Sequence, residues 1–188
     1  VGIGSVFVPP MDVLKIITFK VIGQGSLADV NGSSASIVWD IRLPRVLLAY
    51  LVGAALSVSG AVMQSVLKNP LASSYTLGVS SGASFGAALI IVSGFRLHIL
   101  GSFTLPVTGL LFGVMTVVIA ISLASRLDSN MENNTIILVG IVFSLFINAI
   151  LTLITTLFRD KVAQITFWQM GSFALKEWSS IGILLPII

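Results

Sequence analysis

Between Arg45 and Lys68 the chain reads Val46-Leu-Leu-Ala-Tyr-Leu-Val-Gly-Ala-Ala-Leu-Ser-Val-Ser-Gly-Ala-Val-Met-Gln-Ser-Val-Leu67, 22 residues without a charge. At about 1.5 Å per residue a helix of that length measures about 33 Å, which matches a hydrocarbon core of ~30 Å. Lipid admits only helices or closed barrels, and this run lacks the period-2 alternation of a barrel strand. It predicts a spanning α-helix. The spacing recurs: 27 uncharged residues separate Lys68 from Arg96, 29 separate Arg96 from Arg126, and 26 separate Glu132 from Arg159. Helices are therefore expected over 46–67, 71–93, 106–125 and 134–158, antiparallel in succession. Pro106 suits a first helical turn, so 97–104 is read as a short loop. A fifth helix starts after Trp178.

Composition agrees. Of 188 residues 56% are hydrophobic and 9% charged, against about 25% charged in a soluble domain, and the mean hydropathy is +1.08. Ten basic and seven acidic side chains are too few to cover a water-soluble surface, which excludes a soluble enzyme, a disordered tail and a typical nucleic-acid binder. The expected fold class is all-α, a polytopic transmembrane helical protein. The net charge of +3 and pI of 9.6 rest on too few groups to name a partner. There is no cysteine, hence no disulfide or thiolate metal site within this chain.

The segment 1–41 carries Pro9-Pro10, Gly23, Gly25, Asn31-Gly32 and Ser33-Ser34. It reads as the extramembrane segment, with one short helix around 13–22, of a single, partial transmembrane domain over 1–188 whose membrane helices and loops take up 42–188. Residues 160–177 are expected to hold an interfacial helix with Phe167 and Trp168. The final apolar run, Ile181–Ile188, is shorter than a span, so the sequence is expected to be part of a longer protein.

Small residues stand at helical spacing. Gly78, Gly82 and Gly86 form a double G-x-x-x-G ladder, Gly109 and Gly113 another, and Gly53, Ser57 and Ala61 a third stripe. Lipid gives no hydrophobic drive between helices, so close approach needs small faces. These positions are expected to pack against other helices.

Chemistry-bearing motifs are few. Gly78-Val-Ser-Ser-Gly82 fits G-x-S-x-G, but the nucleophile elbow needs a strand–turn–helix with a histidine and an acid near. The single histidine is His98, and the nearest downstream acid is Asp128, across another span. No catalytic residue, metal site or phosphate-binding loop is assigned. The expected spans hold no ionisable group, which argues against an ion-coupled secondary transporter. What they hold is uncharged polarity: Ser144, Asn148, Thr152 and Thr155 recur at i, i+4, i+8 and i+11. Such a face lines a watery path or bonds helices together. Arg42 and Arg45 lie three apart around Pro44 at the expected start of the first span, where positive charge opposes the helix dipole. Lipid headgroups or an acidic protein partner would offset that.

Ile41-Arg-Leu-Pro-Arg45, Val52-Gly-Ala-Ala-Leu-Ser-Val-Ser-Gly-Ala-Val-Met-Gln64, Asn69-Pro-Leu-Ala72, Leu77-Gly-Val-Ser-Ser-Gly-Ala-Ser84 and Trp168-Gln-Met-Gly-Ser-Phe173 with Trp178 together resemble the FecCD family. These are permease subunits of ABC importers for iron-siderophores, haem and vitamin B12. The likeness covers most of residues 40–180 in the family's order. One departure is Ser74, where many members carry proline.

The resemblance implies a ten-helix subunit working as a homo- or heterodimer, with this sequence supplying helices two to five and the start of six. It implies separate ABC ATPase subunits that carry ATP and Mg, no cofactor on this chain, and an extracytoplasmic solute-binding protein that delivers the ligand, with iron-siderophore the favoured one. By the same resemblance Arg42 and Arg45 dock the binding protein. Ser144, Asn148 and Thr152 border the translocation pathway, and Asn133 and Asn134 help form the cytoplasmic gate. The implied location is the cytoplasmic (inner) membrane of a bacterium or archaeon. The family places the Arg42 side outside. The charge count points the other way, because that side also bears Lys15, Lys20, Arg96, Arg159, Lys161 and Lys176 against Lys68 and Arg126 opposite.

Overall fold

The computed structural model describes residues 1–23, 30–95, 101–174 and 177–186. Among the described residues the structure is helical, with no strand. α1 is Pro10–Ile22 and α2 is a 35-residue helix, Gly32–Val66. α3 is Val79–Ser93, α4 Thr104–Leu127, α5 Asn133–Leu157, α6 Val162–Met170 and α7 Trp178–Leu184. By length and apolarity α2, α4 and α5 suit membrane spans. The chain falls into two compact units, Val1–Leu56 with Phe173–Ile188, and Ser57–Ser172.

In the first unit α1 starts at Pro10, which lacks the N–H that a first turn leaves unsatisfied. It ends at Gly23 in the left-handed region, φ +74°, a conformation that glycine adopts without strain. Val8, Val13, Ile16, Val30 and Val38 form a small core, flanked by Ile17, Ala35 and Trp39. α2 begins well before the expected position 46. Its turn Ile37–Arg42 is a π-helix, and Pro44 follows after Leu43. The wider π turn accommodates a proline that would clash in a regular α-helix. Arg42 and Arg45 therefore lie inside a continuous helix, about ten residues from its start. The expectation that they sit at a helix N-terminus and oppose its dipole is overturned.

In the second unit α3 runs antiparallel to α4 and in the same direction as α5. Gly78 faces Thr116 while Gly86 faces Phe112; Gly78 also faces Ser144, and Ala88 packs with Leu151. On the far side Ile165 of α6 joins Ala88 and Leu151 in a core with Ile91, Val92 and Ile154.

The helix expected over 71–93 is eight residues shorter. Leu71–Gly78 is irregular, and six of its amides are satisfied locally. The amide of Leu71 donates to Asn69 Oδ1 at 2.9 Å, that of Ser73 to Thr76 Oγ1 at 2.8 Å, and that of Tyr75 to Ser73 Oγ at 3.4 Å. Those of Ala72, Thr76 and Gly78 donate to the carbonyls of Asn69, Ser73 and Tyr75 at 2.9–3.1 Å. Side-chain oxygens outcompete the helical ladder here. Gly78, at φ +79°, then turns the chain into α3.

Candidate functional site

The irregular segment ends deep in the second unit. A Cβ on Gly78 would lie 2.5 Å from Ser144 Oγ and 3.3 Å from Thr116 Cγ2. Thr116 and Ser144 are each near the midpoint of their spanning helices, so α3 begins at about mid-membrane depth. Non-helical backbone at that depth is tolerated where protein buries it. Ala72, Leu77 and Gly78 are buried accordingly. A Cβ on Gly140 of α5 would lie 2.7 Å from the Thr76 carbonyl oxygen and 3.1 Å from Leu77 Cα. Gly140 is thus the residue that admits the irregular segment beside α5; the spacing rules singled out glycines of α2, α3 and α4 but not this one.

The ladder glycines face α4. A Cβ on Gly82 would run into Thr116 Oγ1 and come within 2.7 Å of Thr116 Cβ and 2.8 Å of the Phe112 carbonyl oxygen. One on Gly86 would lie 2.6 Å from Phe112 Cβ. In the reverse direction Gly113 meets Val79 Cγ1 at 3.2 Å, and Gly109 meets the Trp168 ring at 3.0 Å. The third stripe differs: Gly53, Ser57 and Ala61 are exposed, and a Cβ on Gly53 would meet no heavy atom within 4 Å among the described residues.

The polar face of α5 divides. Ser144 is half-buried against Gly78 and donates to the Gly140 carbonyl at 2.7 Å. Asn148 and Thr152 are exposed. An i, i+4, i+8 series drifts by about 80° around a helix of 3.6 residues per turn, which takes Thr152 well away from the Ser144 contact. Thr152 Oγ1 donates to the Asn148 carbonyl at 2.9 Å and Thr155 Oγ1 to the Thr152 carbonyl at 2.9 Å. The hydroxyls are therefore satisfied by their own helix, and the Asn148 carboxamide is the group of this face presented outward.

At the other end of the same unit an open pocket of roughly 400 Å³ is lined by Leu67, Lys68, Met131, Glu132, Asn133 and Asn134. It brings the turn after α2 beside the start of α5. Lys68 and Met131 both have positive φ, 46° and 53°, a region that costs non-glycine residues energy. The loop is held by Asp128, whose Oδ1 accepts from the Asn130 amide and Oδ2 from the Glu132 amide, each at 2.9 Å. These amides, Glu132 first and then Asn130, hold the Asp128 carboxyl below the usual carboxylate range against the opposing effect of desolvation, with a lesser lowering by Thr135. Asn133 and Asn134 begin α5 directly after this loop.

Arg42 and Arg45 have different environments. Arg42 is half-buried. Its Nη1 donates to the carbonyls of Val1 and Gly2 at 3.0 and 3.1 Å, and its Nη2 to that of Val6. The guanidinium sits on Gly4, where a Cβ would lie 2.6 Å from Nη2. Arg42 thus ties residues 1–6 onto α2. Arg45 is exposed.

Gly78-Val-Ser-Ser-Gly82 lacks the strand of a nucleophile elbow among the described residues: Ser80 is exposed on the first turn of α3. His98, Arg96 and Lys176 lie outside the described residues. Among the described residues no three His, Cys, Asp or Glu side chains converge as a metal site would need.

The chain is similar to known proteins. A permease protein of an uncharacterised ABC transporter from Bacillus subtilis, YvrB, is 39% identical over 99% of this chain and 52% of its own length. The molybdate import permease MolB of Haemophilus influenzae is 33% identical over 84% of this chain and 46% of its own. The hemin transport permease HmuU of Yersinia pestis is 35% identical over 84% and 48%. The chain spans about half the length of the curated relatives it matches. A solved structure described as an inward-facing conformation of a metal-chelate type ABC transporter superposes with a TM-score of 0.65 at 32% identity, over 90% of this chain and 54% of that one. The fold is that of an ABC importer permease, and the chain is an integral membrane protein. All 188 residues match the FecCD transport family, and the chain belongs to it.

Proposed function

We propose that this chain forms part of the membrane-spanning subunit of an ATP-driven importer whose cargo is an iron-siderophore complex. The observation that carries the proposal is the uncharged polar face of α5. A bulky polar chelate needs a path that offers weak hydrogen bonds and no strong trap. Ser144 beside Gly78, then exposed Asn148 and Thr152, have that chemistry. The likeness to a metal-chelate type transporter supports it, as does a relative named for hemin, another iron chelate. Haem and cobalamin are the alternative cargoes. An ion-coupled carrier is disfavoured, because the runs 46–67, 69–95, 97–125 and 133–158 hold no Asp, Glu, Lys or Arg.

In this scheme separate ATPase subunits bind ATP and Mg, a second permease subunit completes the pathway, and an extracytoplasmic binding protein delivers the ligand at the Arg45 end. Arg45 is the docking group there, and Arg42 secures the segment beneath it. Asn133 and Asn134 border the cytoplasmic gate across the pocket from Lys68. The membrane is the cytoplasmic membrane of a bacterium or archaeon.

The test is uptake by the complete transporter in proteoliposomes, with ATP inside and the binding protein outside, using labelled ferric siderophore, hemin, cobalamin and molybdate in parallel. ATP-dependent accumulation of the ferric siderophore well above the other three is expected. Preferred uptake of another ligand would replace the cargo, and uptake driven by an ion gradient without ATP would refute the mechanism. Orientation is tested by single cysteines at Ser33 and Ser129 and an impermeant thiol reagent in intact cells. Labelling is expected at Ser33 and not at Ser129; the reverse would place Arg45 in the cytoplasm.

A further inference from the structure

The π turn of α2 leaves one backbone carbonyl without a backbone donor. The amide of Leu43 donates to the Val38 carbonyl, five residues back, as amides of a π turn do. The next bond in that register would run from position 44 to the Trp39 carbonyl. Position 44 is proline, which has no N–H. The ordinary α register supplies no substitute, because it would draw on Leu43, whose amide is already on Val38. Trp39 is half-buried, and a carbonyl withdrawn from water without a partner is costly.

The missing donor comes from the far end of the chain. Trp178, the first residue of α7, donates its Nε1–H to the Trp39 carbonyl at 3.1 Å. Its ring lies over that of Trp39, with centroids 4.9 Å apart and planes tilted by 36°. The indole N–H is a donor and never an acceptor, so it suits a bare carbonyl, and the ring contact fixes its direction. On the N-terminal side of this break α2 carries a body of its own. Val38 packs with Val8, Val13 and Ile16, and Arg42 holds the carbonyls of Val1, Gly2 and Val6. On the C-terminal side lies the uncharged run that begins at Val46. Helices bend where a π turn or a proline interrupts the ladder, so the angle between the two sides depends on what replaces the lost bond.

We infer that the π turn is a hinge in α2 and that Trp178 is its latch. The indole stands in for the amide that Pro44 lacks and fixes the angle between the N-terminal body, residues 1–22 and 32–42, and the spanning part of α2. With the indole in place the carbonyl is satisfied and the helix runs straight through. With it withdrawn the carbonyl turns to water and the joint bends. A displacement of the start of α7 is thereby passed to the N-terminal body. The inference is independent of what the protein transports.

The test uses the intact permease subunit in lipid nanodiscs, with cysteines outside this chain replaced. Nitroxide labels are placed by Ser33→Cys and Leu56→Cys, both at exposed positions and about 35 Å apart along α2. Pulsed dipolar spin resonance reads the distribution of that distance. Trp178→Phe keeps a ring against Trp39 and removes the N–H; it should broaden the distribution roughly twofold, since an unrepaired break in the ladder bends. Pro44→Ala restores an N–H at position 44, which gives the Trp39 carbonyl a backbone donor in either register. In the Pro44→Ala background Trp178→Phe should therefore leave the distribution unchanged. An unchanged distribution for Trp178→Phe alone would show that the joint is stiff without its latch and would overturn the inference. Broadening that Pro44→Ala does not suppress would assign the effect to ring packing and overturn it equally. Hydrogen exchange of the Trp178 indole N–H checks the parent protein independently: protection is expected, and exchange at the rate of a free indole would mean that the bond is not held.

Discussion

Replacing Gly82 by alanine tests whether the seam between α3 and α4 depends on bare backbone. The new Cβ would sit 2.7 Å from Thr116 Cβ and 2.8 Å from the Phe112 carbonyl oxygen, about 0.7 Å short of ordinary van der Waals contact. Neither neighbour is the free end of a flexible side chain. Thr116 is branched at Cβ and its hydroxyl is bonded to the Phe112 carbonyl at 2.8 Å, so the helices must separate. Gaps of 0.5–1 Å lose about a quarter to a half of each dispersion contact, and overpacking typically costs about 1–3 kcal/mol. Alanine in a helix returns about 0.5–1 kcal/mol relative to glycine. Gly53→Ala carries the same propensity gain, and its new Cβ would meet no heavy atom within 4 Å among the described residues. The difference between the two variants therefore isolates packing, and it should be about 1–3 kcal/mol, with Gly82→Ala the less stable. Unfolding of the purified subunit in mixed micelles by titration with sodium dodecyl sulfate measures it. Trp168, against Gly109 on the same helix α4, serves as a reporter. Gly82→Leu should prevent assembly altogether. Equal midpoints for Gly82→Ala and Gly53→Ala would show that the seam yields freely and that the ladder has no packing role.

Asn148→Leu should lower ligand-stimulated transport while complex assembly and basal ATP hydrolysis persist; a cysteine at 148 that no aqueous reagent reaches in any nucleotide state would remove Asn148 from the pathway. Arg42→Ala should release residues 1–6, costing about 1.5–3 kcal/mol for each charge-assisted hydrogen bond that water does not replace and showing as faster amide exchange there. Arg45→Glu should leave that segment intact and weaken binding-protein association at low salt, an effect that screening reduces as salt rises; unchanged association at low salt would leave Arg45 as an interface anchor only. Asp128 has a folded-state pKa below the usual value, so its contribution to stability is present above the unfolded pKa near 4 and is lost as pH falls through the folded value. Asp128→Asn should flatten the pH dependence of unfolding in that acid range, and an unaltered dependence would mean that the Glu132 and Asn130 amides are held by other means.

The spans read from charge spacing correspond closely to α4 and α5, because a bilayer fixes the length of any uncharged helix that crosses it. The departures occur where local hydrogen bonding replaced the helical ladder. Between Asn69 and Gly78 the residues are apolar enough to span, but Asn69, Ser73 and Thr76 satisfy the backbone themselves. Hydropathy does not separate a lipid-facing helix from irregular chain whose end packs against α5. Pro44 was read as a helix start because proline is favoured in first turns, whereas a π turn ahead of it carries the helix through. The role of Arg42 was similarly hidden: its acceptors are backbone carbonyls forty residues away, and backbone carbonyls have no signature in a sequence. Of the polar face on α5 the spacing was visible, but the split between Ser144 and Asn148 depends on where Gly78 arrives.

The late start of α3 bears on how the protein enters the membrane during synthesis. With 15 residues, α3 is about 22 Å long, well short of the hydrocarbon thickness. The bonds of Leu71–Gly78 are made locally, yet its buried end, Leu77 and Gly78, lies against Thr116 of α4 and against Gly140 and Ser144 on a helix translated some 60 residues later. While α5 is still in the ribosome the segment has no protein surface to shelter it. The translocon must therefore hold α3 with its preceding turn at the channel mouth, or admit it provisionally, until α4 and α5 emerge and the three enter lipid together. Slowing translation after Leu127 should expose this stage as a protease-sensitive form.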